Sequence, residues 1–441
     1  MSTTAIIAEF NPFHNGHKYL LDKVRTSADD RVIVIMSGNF TQRGVPAIAD
    51  KYARAKCALL SGADLVLEMP ALYATGSAYD FARGGVTLAD KLNVCDTLAF
   101  GVEMNNNNSE DDNQSLINLD TFNKVADILT EEPDEYKLLL KENLSNGMSF
   151  PSAREKAVTD YISQNDPSYS PDDSSEMIKE ILSLSNNILA LEYIQTLNEL
   201  KSDIKPLAIQ RVGNNYNDAS LTGEYSSATA IRNAIGEFCQ SGVADKKEGS
   251  ALSSTMPESS IDCINDFIQN GCITEDALTD WISHKLIEMR YEDINELADI
   301  MDSNEDIAHK ILNLKAFDSY DSIVEGLKSK EITRSRISRV LVHLIMGITN
   351  EDRKKAYNEG TIQYANILGF RRDSSELISK INGVSELTLI NKKSAFSPEA
   401  NTAAARLWEI DRKATDIYSH ICRSECGVII PPELTSNIVI L

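Results

Sequence analysis

Four short apolar runs separated by helical segments dominate the first 100 residues, and this alternation leaves the chain few possible folds. The runs cover residues 5–10, 32–36, 64–67 and 97–102. Between them, residues 17–24, 49–61 and 77–91 space their apolar side chains as helices do. Strands that are apolar throughout belong to a parallel sheet covered on both faces. A helix over 188–200 and a strand over 206–212 continue the pattern. The spacing predicts a Rossmann-like parallel sheet of the α/β class. Ligands of such sheets sit at the carboxyl ends of the strands. The positions just after Phe10, Met36, Leu67 and Phe100 are therefore the first candidates for a site.

A length of 441 residues is too great for one ordinary core, so more than one domain is expected. Polar segments at 105–108 and 110–114 open a region, up to about residue 180, that reads as a helical insertion or lid. Within it, 163–175 is rich in Ser, Asp and Pro. A second polar segment, 246–260, reads as a linker. Helical patterns then cover 274–301, 307–314, 333–346 and 401–421. The expected division is a catalytic domain over 1–240 and a mainly helical domain over 241–441.

Hydrophobic content of 42% and charged content of 25% are those of a globular chain. No apolar run approaches the roughly 20 residues of a membrane helix, and no secretory signal is expected. Seven scattered cysteines suggest free thiols in a reducing cytosol. A net charge of −23 argues against a protein that coats nucleic acid non-specifically. The charge is uneven, however. Residues 331–441 hold 15 Lys+Arg and 13 Asp+Glu, so the tail is about +2 and the rest about −25. A polyanion has somewhere to dock on the tail, although a less acidic domain in an acidic chain explains the same numbers.

His14-Asn15-Gly16-His17 is the sharpest local signal. Gly16 permits a close backbone approach, and the helix amides that follow attract phosphate. Two imidazoles three residues apart lie on one side of a helix start. There they can donate to phosphate oxygens and stabilise charge as pyrophosphate leaves. No third ligand at a usual spacing supports zinc, and His420, Cys422 and Cys426 lack a matching pair, so no metal centre is expected.

Ser227-Ala228-Thr229-Ala230-Ile231-Arg232 is the second signal. It reads either as an ordinary helix cap with a surface arginine or as a triphosphate clamp of hydroxyls, amides and guanidinium. The loop from Ser37 to Gly44 holds Asn39, Gln42 and Arg43 at the correct end of the sheet, with Asp50, Lys51 and Arg54 on the next helix. Asn186, Asn187 and Arg211 sit at element ends, where a structural role is equally open. In the tail Lys328, Lys330, Arg334, Arg336 and Arg339 cluster, either as phosphate contacts or as a solvated helix face.

The segment Ile7-Ala8-Glu9-Phe10-Asn11-Pro12-Phe13-His14-Asn15-Gly16-His17 closely resembles the opening of the bacterial tRNA(Met) cytidine acetate ligases. Met36-Ser37-Gly38-Asn39-Phe40, Gln42-Arg43-Gly44, Asp50-Lys51, Phe100-Gly101, Asn186-Asn187-Ile188-Leu189, Gln210-Arg211 and Ser227 to Arg232 are similar too, as are 333–343, Leu368-Gly369-Phe370 and 414–418. The resemblance thus spans nearly the whole chain. The histidine motif alone indicates only the wider HxGH nucleotidyltransferase superfamily. Ser185 and Ala190 depart from the Pro and Gly that the family favours there, which bears on loop geometry.

The resemblance implies a nucleotidyltransferase-like domain with a helical insertion and a mainly helical, tRNA-binding C-terminal domain. It implies activation of acetate by ATP as acetyl-adenylate, then acetylation of N4 of the wobble cytidine of elongator tRNA(Met). The ATP contacts would fall on Ile7, Ala8, Glu9, Phe10, Asn11, Pro12, Phe13, His14, Asn15, Gly16, His17, Lys18, Tyr19 and Leu20, with Gly101, Asn186 and Arg211. Of these, His14 and His17 would be catalytic. Ser227, Thr229 and Arg232 would hold the departing phosphates. Ser37, Asn39, Gln42, Arg43, Asp50, Lys51, Arg334, Arg336 and Arg339 are assigned to the acceptor side. Mg²⁺ is expected with ATP, without a dedicated carboxylate cage. A cytoplasmic enzyme without membrane or DNA partners follows. The alternatives are a nucleotidyltransferase for a small-molecule acceptor and a non-catalytic nucleotide- or RNA-binding protein.

Overall fold

The computed structural model describes residues 2–104, 119–166, 171–212, 221, 223–241, 252–315, 317–329 and 331–441. Among these, the strands are β1 (Thr3–Ala8), β2 (Arg31–Ser37), β3 (Leu65–Met69), β4 (Thr97–Val102), β5 (Lys205–Gln210), β6 (Tyr364–Phe370), β7 (Thr388–Ile390) and β8 (Val439–Ile440). All eight join one sheet, in the order β5-β4-β1-β2-β3-β6-β7, with β8 beside β6. The five N-terminal strands are mutually parallel. Their apolar runs are buried as a two-sided sheet requires: Val32, Ile33, Val34, Ile35 and Met36 are each 0% exposed. The strand order reverses between β1 and β4, which opens a crevice at their carboxyl ends.

Helices α1 (Asn15–Val24), α2 (Lys51–Leu60), α3 (Ala78–Lys91) and α4 (Ser185–Leu200) cover this part of the sheet. Each of the first three starts on a side-chain cap, from His14, Asp50 and Ser77. The described insertion consists of helices Asp120–Glu131, Asp134–Ser145, Phe150–Asn165 and Pro171–Ser183. Within the Ser-, Asp- and Pro-rich stretch 163–175 one helix ends and another begins at Pro171. A proline in the first turn forfeits no hydrogen bond. The polar stretches 105–108 and 110–114, and residues 246–251, lie outside the described residues.

The C-terminal part is mostly helical, with α6 (Arg334–Met346) and α7 (Ala403–Glu425) following α5 (Ala228–Ser241) as its main supports near the site. The single helical pattern expected over 274–301 is broken. It becomes a short 3-10 turn and two helices, Thr279–Met289 and Ile294–Asp299, the last capped by Asp293. Three strands also appear that the sequence reading did not anticipate. β6 pairs antiparallel with β3, placing Val66 opposite Gly369. The sheet therefore draws strands from both sides of residue 240.

Further contacts tie the two parts together. His343 on α6 is fully buried, with Nδ1 2.9 Å from the carbonyl of Met301 and Nε2 3.0 Å from that of Thr75. Gly44 (φ +71°) rests on the α6 backbone, and a Cβ there would lie 2.4 Å from Arg339 N. None of the seven cysteines forms a disulfide.

Candidate active site

The site starts where β1 ends. His14, extended at φ −133°, caps α1, and its Nδ1 accepts from the amide of Gly16 at 3.1 Å. His17 completes the box by accepting from the amide of His14 on its own Nδ1 at 3.3 Å. Gly16 is required by this approach, because a Cβ there would lie 2.9 Å from His14 Cε1. The two imidazoles stack with centroids 3.8 Å apart. Phe10 and Phe13 pack on His17 at 4.8 and 5.6 Å.

These bonds fix the proton positions. A ring nitrogen that accepts an amide N–H carries no proton. In each neutral imidazole the proton therefore sits on Nε2. Burial lowers both pKa values, helped for His14 by Arg211 and Arg232 and for His17 by His14 and Arg211. His14 falls to about 3. At neutral pH the helix start thus presents two neutral N–H donors rather than imidazolium ions.

The sign of the linkage follows. Below the unfolded histidine value of about 6.5, the unfolded chain takes up protons that these folded residues refuse. Their share of stability is present above that value and is lost as pH falls below it, for His14 down to about 3. In the ligand-free chain, the His14 and His17 ring Cε1–H resonances should hold their neutral positions from pH 8 to pH 5. A midpoint near pH 6.5 for either would contradict the lowered pKa values.

Two adjoining cavities, of about 180 and 920 Å³, open at the strand ends. The smaller is lined by Ile7, Ala8, Glu9, Phe10, Asn11, His14, Gly16, His17, Tyr19, Leu20, Gly101, Asn186, Arg211 and Arg232. The sequence reading named all of these as ATP contacts. Gln42 and Arg43, assigned to the acceptor, line both cavities.

The remaining expected ATP contacts lie elsewhere. Phe13 is buried behind His17. Asn15 donates to the carbonyls of Glu224 and Ser254, and Lys18 pairs with Asp22. Pro12 does not line either cavity. Ser227 caps α5 by accepting the Ala230 amide at 3.0 Å. Thr229 lines the larger cavity, where its Oγ1 accepts from Arg43 at 3.4 Å and Arg232 at 3.2 Å.

On the acceptor side, four assigned residues are structural. Ser37, Asn39 and Lys51 are buried. The Asn39 side chain accepts the Lys51 amide, Asp50 caps α2, and Lys51 is paired with Glu68 and Glu433. They shape the loop rather than face a substrate. Arg334 lines the larger cavity and pairs with Asp321 and Glu275. Arg336 donates to the carbonyl of Asp302 at 2.9 Å and Arg339 to its carboxylate at 2.6 Å, so both bind the protein itself. Lys330 lies outside the described residues.

Several residues went unrecognised in the sequence. Phe81, Phe100, Leu189, Tyr193 and Tyr225 supply apolar wall. Asn186, Leu189 and Tyr193 follow a 3-then-4 spacing, so their common helical face was visible in principle. Arg54 was noticed but given no role. It is 0% exposed and donates to the carbonyls of Ala49, Glu9, Ser37 and Gly38. It thereby pins the ends of β1 and β2. Glu9 in turn accepts the Gln42 amide at 2.6 Å. The paired Asn186 and Asn187 hold Glu103, close to Arg211.

Known proteins are similar to this chain over its length. A model of the HIGH nucleotidyl transferase family matches residues 1–427. A protein of Acetivibrio thermocellus named tRNA(Met) cytidine acetate ligase is 34% identical over 444 residues, covering 100% of both chains. One of the same name from Clostridium kluyveri is 38% identical over 422 residues and 95% of each. The crystal structure of apo Thermotoga maritima TmcAL matches with a TM-score of 0.84 at 30% identity, across 100% of each chain. Its form bound with alpha-thio ATP matches at 0.82. The chain belongs to the tRNA(Met) cytidine acetate ligases, within the HIGH nucleotidyl transferase family.

Proposed function

We propose that this protein is an ATP-dependent ligase that acetylates N4 of the wobble cytidine of elongator tRNA(Met). One observation carries the reading. The histidine pair, Arg211 and Arg232 line one cavity in a chain collinear, end to end, with cytidine acetate ligases. A small-molecule nucleotidyltransferase would have no use for the shared C-terminal half. Intact, oriented histidines argue against a non-catalytic binder.

The reaction has two steps. A carboxylate oxygen of acetate attacks the α-phosphorus of ATP in line, forming acetyl-adenylate and releasing pyrophosphate. The N4 amine then attacks the acyl carbon; AMP leaves and a proton is lost. The first step needs positioning and neutralisation of charge on the departing oxygens. The Nε2–H groups of His14 and His17 supply directed donors, and Arg232 and Arg211 supply charge. Arg232 is itself held by the carbonyl of Asn11 at 2.7 Å. The exocyclic amine is a poor nucleophile, which explains the prior activation of the acid. The wobble base is single-stranded and reaches a pocket without melting a duplex.

Mg²⁺ would be carried in by the triphosphate and would supply neutralisation of its charge. Among the described residues lining the smaller cavity Glu9 offers the one carboxylate, already engaged by the Gln42 amide. No helix among the described residues is long and apolar enough to cross a membrane, and we place the enzyme in the cytoplasm with its tRNA. The test is ATP–pyrophosphate exchange with purified protein. Exchange should require acetate and no tRNA. Exchange driven by another acid and indifferent to acetate would overturn the assignment.

A further inference from the structure

We infer that the larger cavity, of about 920 Å³, is the acceptor chamber, where one extruded pyrimidine nucleotide meets the acyl-adenylate. The inference rests on the ligase reading above and assigns the acceptor a place. Gln42, Arg43, Val45, Asn186, Leu189 and Arg232 line both cavities, so the two share a wall. An amine entering the larger one arrives where the acyl group must be, without displacing the nucleotide.

The lining suits a base and its phosphate. Val45, Pro46, Ile48, Ile188 and Ile273 offer apolar surface for a planar ring. Arg43, Arg232 and Arg334 line it with Glu237 and Glu275, and of these cations Arg334 is paired with Glu275 and Asp321. Arg43 and Arg232 also converge on one hydroxyl, Thr229 Oγ1, at the shared wall. Both guanidiniums thus bring positive charge to the wall that a nucleotide phosphate would pass. The far rim is Thr333, Arg334 and Ser335 at the start of α6. Gly44 sets the Gln42–Arg43 loop directly on that helix, so one chamber wall comes from each half of the chain.

Gly236 on α5 supplies a clean test. It lines the larger cavity only, and a Cβ there meets nothing within 4 Å. A side chain at 236 therefore projects into the chamber, and replacing a mid-helix glycine favours the helix. Gly236→Trp should leave acetate-dependent ATP–pyrophosphate exchange within about twofold of the parent and cut acetyl transfer to a tRNA(Met) transcript by about 20-fold or more. Gly236→Ala should retain both activities. Ser335→Glu places a carboxylate where a helix start tolerates it. It should raise the KM for tRNA about fivefold, less so at high salt, with exchange unchanged.

Parental transfer by Gly236→Trp would overturn the chamber, as would exchange and transfer falling together. Absence of acetate-dependent exchange in the parent would remove the ligase reading first, and the chamber with it.

Discussion

His17→Ala should lower acetate-dependent pyrophosphate exchange by about 100- to 1,000-fold, or some 3–4 kcal/mol of transition-state stabilisation. The size follows from what the ring does. Its Nδ1 is occupied by the His14 amide, so its Nε2–H is held ready for a phosphate oxygen at no cost in reorganisation. Burial keeps it neutral, so it gives a directed hydrogen bond rather than a diffuse charge. Such a donor matters most when charge has built up on the leaving oxygens, so kcat should fall further than KM for ATP rises. Losing the ring contacts with Phe10, Phe13 and His14 should cost about 1–3 kcal/mol of stability, which a chain of this size survives. A circular dichroism melt checks the fold. His17→Asn, which keeps a shorter donor, should recover part of the rate. Exchange within threefold of the parent in folded His17→Ala would strip His17 of its role.

The histidine motif was legible because everything it needs is local. Strand, turn, cap and glycine fall within fifteen residues, and the periodicity of the next helix identifies the face. Gly101, Asn186, Arg211 and Arg232 were reached through strand ends and family resemblance, and the structure brings them into the same cavity. Lys51 shows where such reading stops. A lysine after a polar loop looks like a phosphate contact. Only the fold reveals that two carboxylates, one of them 382 residues away in sequence, enclose it. Ser227 presents the same difficulty, since a helix cap and a phosphate contact use the same hydroxyl. Strand β6 was missed for a different reason. Its apolar run YANILGF matches a strand as well as those near the N-terminus, but the helical patterns around it set the expectation. Antiparallel pairing with β3 is a non-local fact that no period encodes.

Lys51→Met should destabilise the chain by about 3–5 kcal/mol at pH 7, as expected when one member of a buried ion cluster is removed. Lys51 Nζ lies 2.8 Å from both oxygens of Glu68, 2.7 Å from Glu433 Oε2 and 3.2 Å from Thr415 Oγ1, with none of the charged groups more than 5% exposed. Burial opposes its charge, but Glu433 and Glu68 outweigh burial and raise its pKa. The two carboxylates move in opposite directions. Burial lifts Glu68, whereas Lys51 and Lys393 overcome burial and hold Glu433 down. Lys51 touches both carboxylates, but Lys393 adds its charge at 3.9 Å to Glu433, so Glu433 is the firmly ionised partner. Its depressed pKa gives stability that is present above the ordinary glutamate range and lost as pH falls through the folded value.

Without Lys51, Glu68 loses its ammonium and Glu433 keeps only Lys393 at 3.9 Å, so proton uptake relieves the cluster, and that is easier in acid. The deficit of Lys51→Met in urea melts should therefore shrink between pH 7 and pH 5. Lys51→Met/Glu68→Gln/Glu433→Gln should recover most of it at pH 7. A deficit that is constant with pH and not relieved by the glutamines would mean that lost packing, rather than stranded charge, is responsible. The cluster gathers α2, β3 and α7 with Asn366 of β6, whose side chain donates to Glu68 at 2.7 Å and Glu433 at 3.1 Å. This is the seam where the C-terminal half enters the sheet. Melting followed by cleavage after residue 240 should therefore show both halves losing protection together in Lys51→Met, because the strand that one half contributes is anchored by the charge that the other supplies.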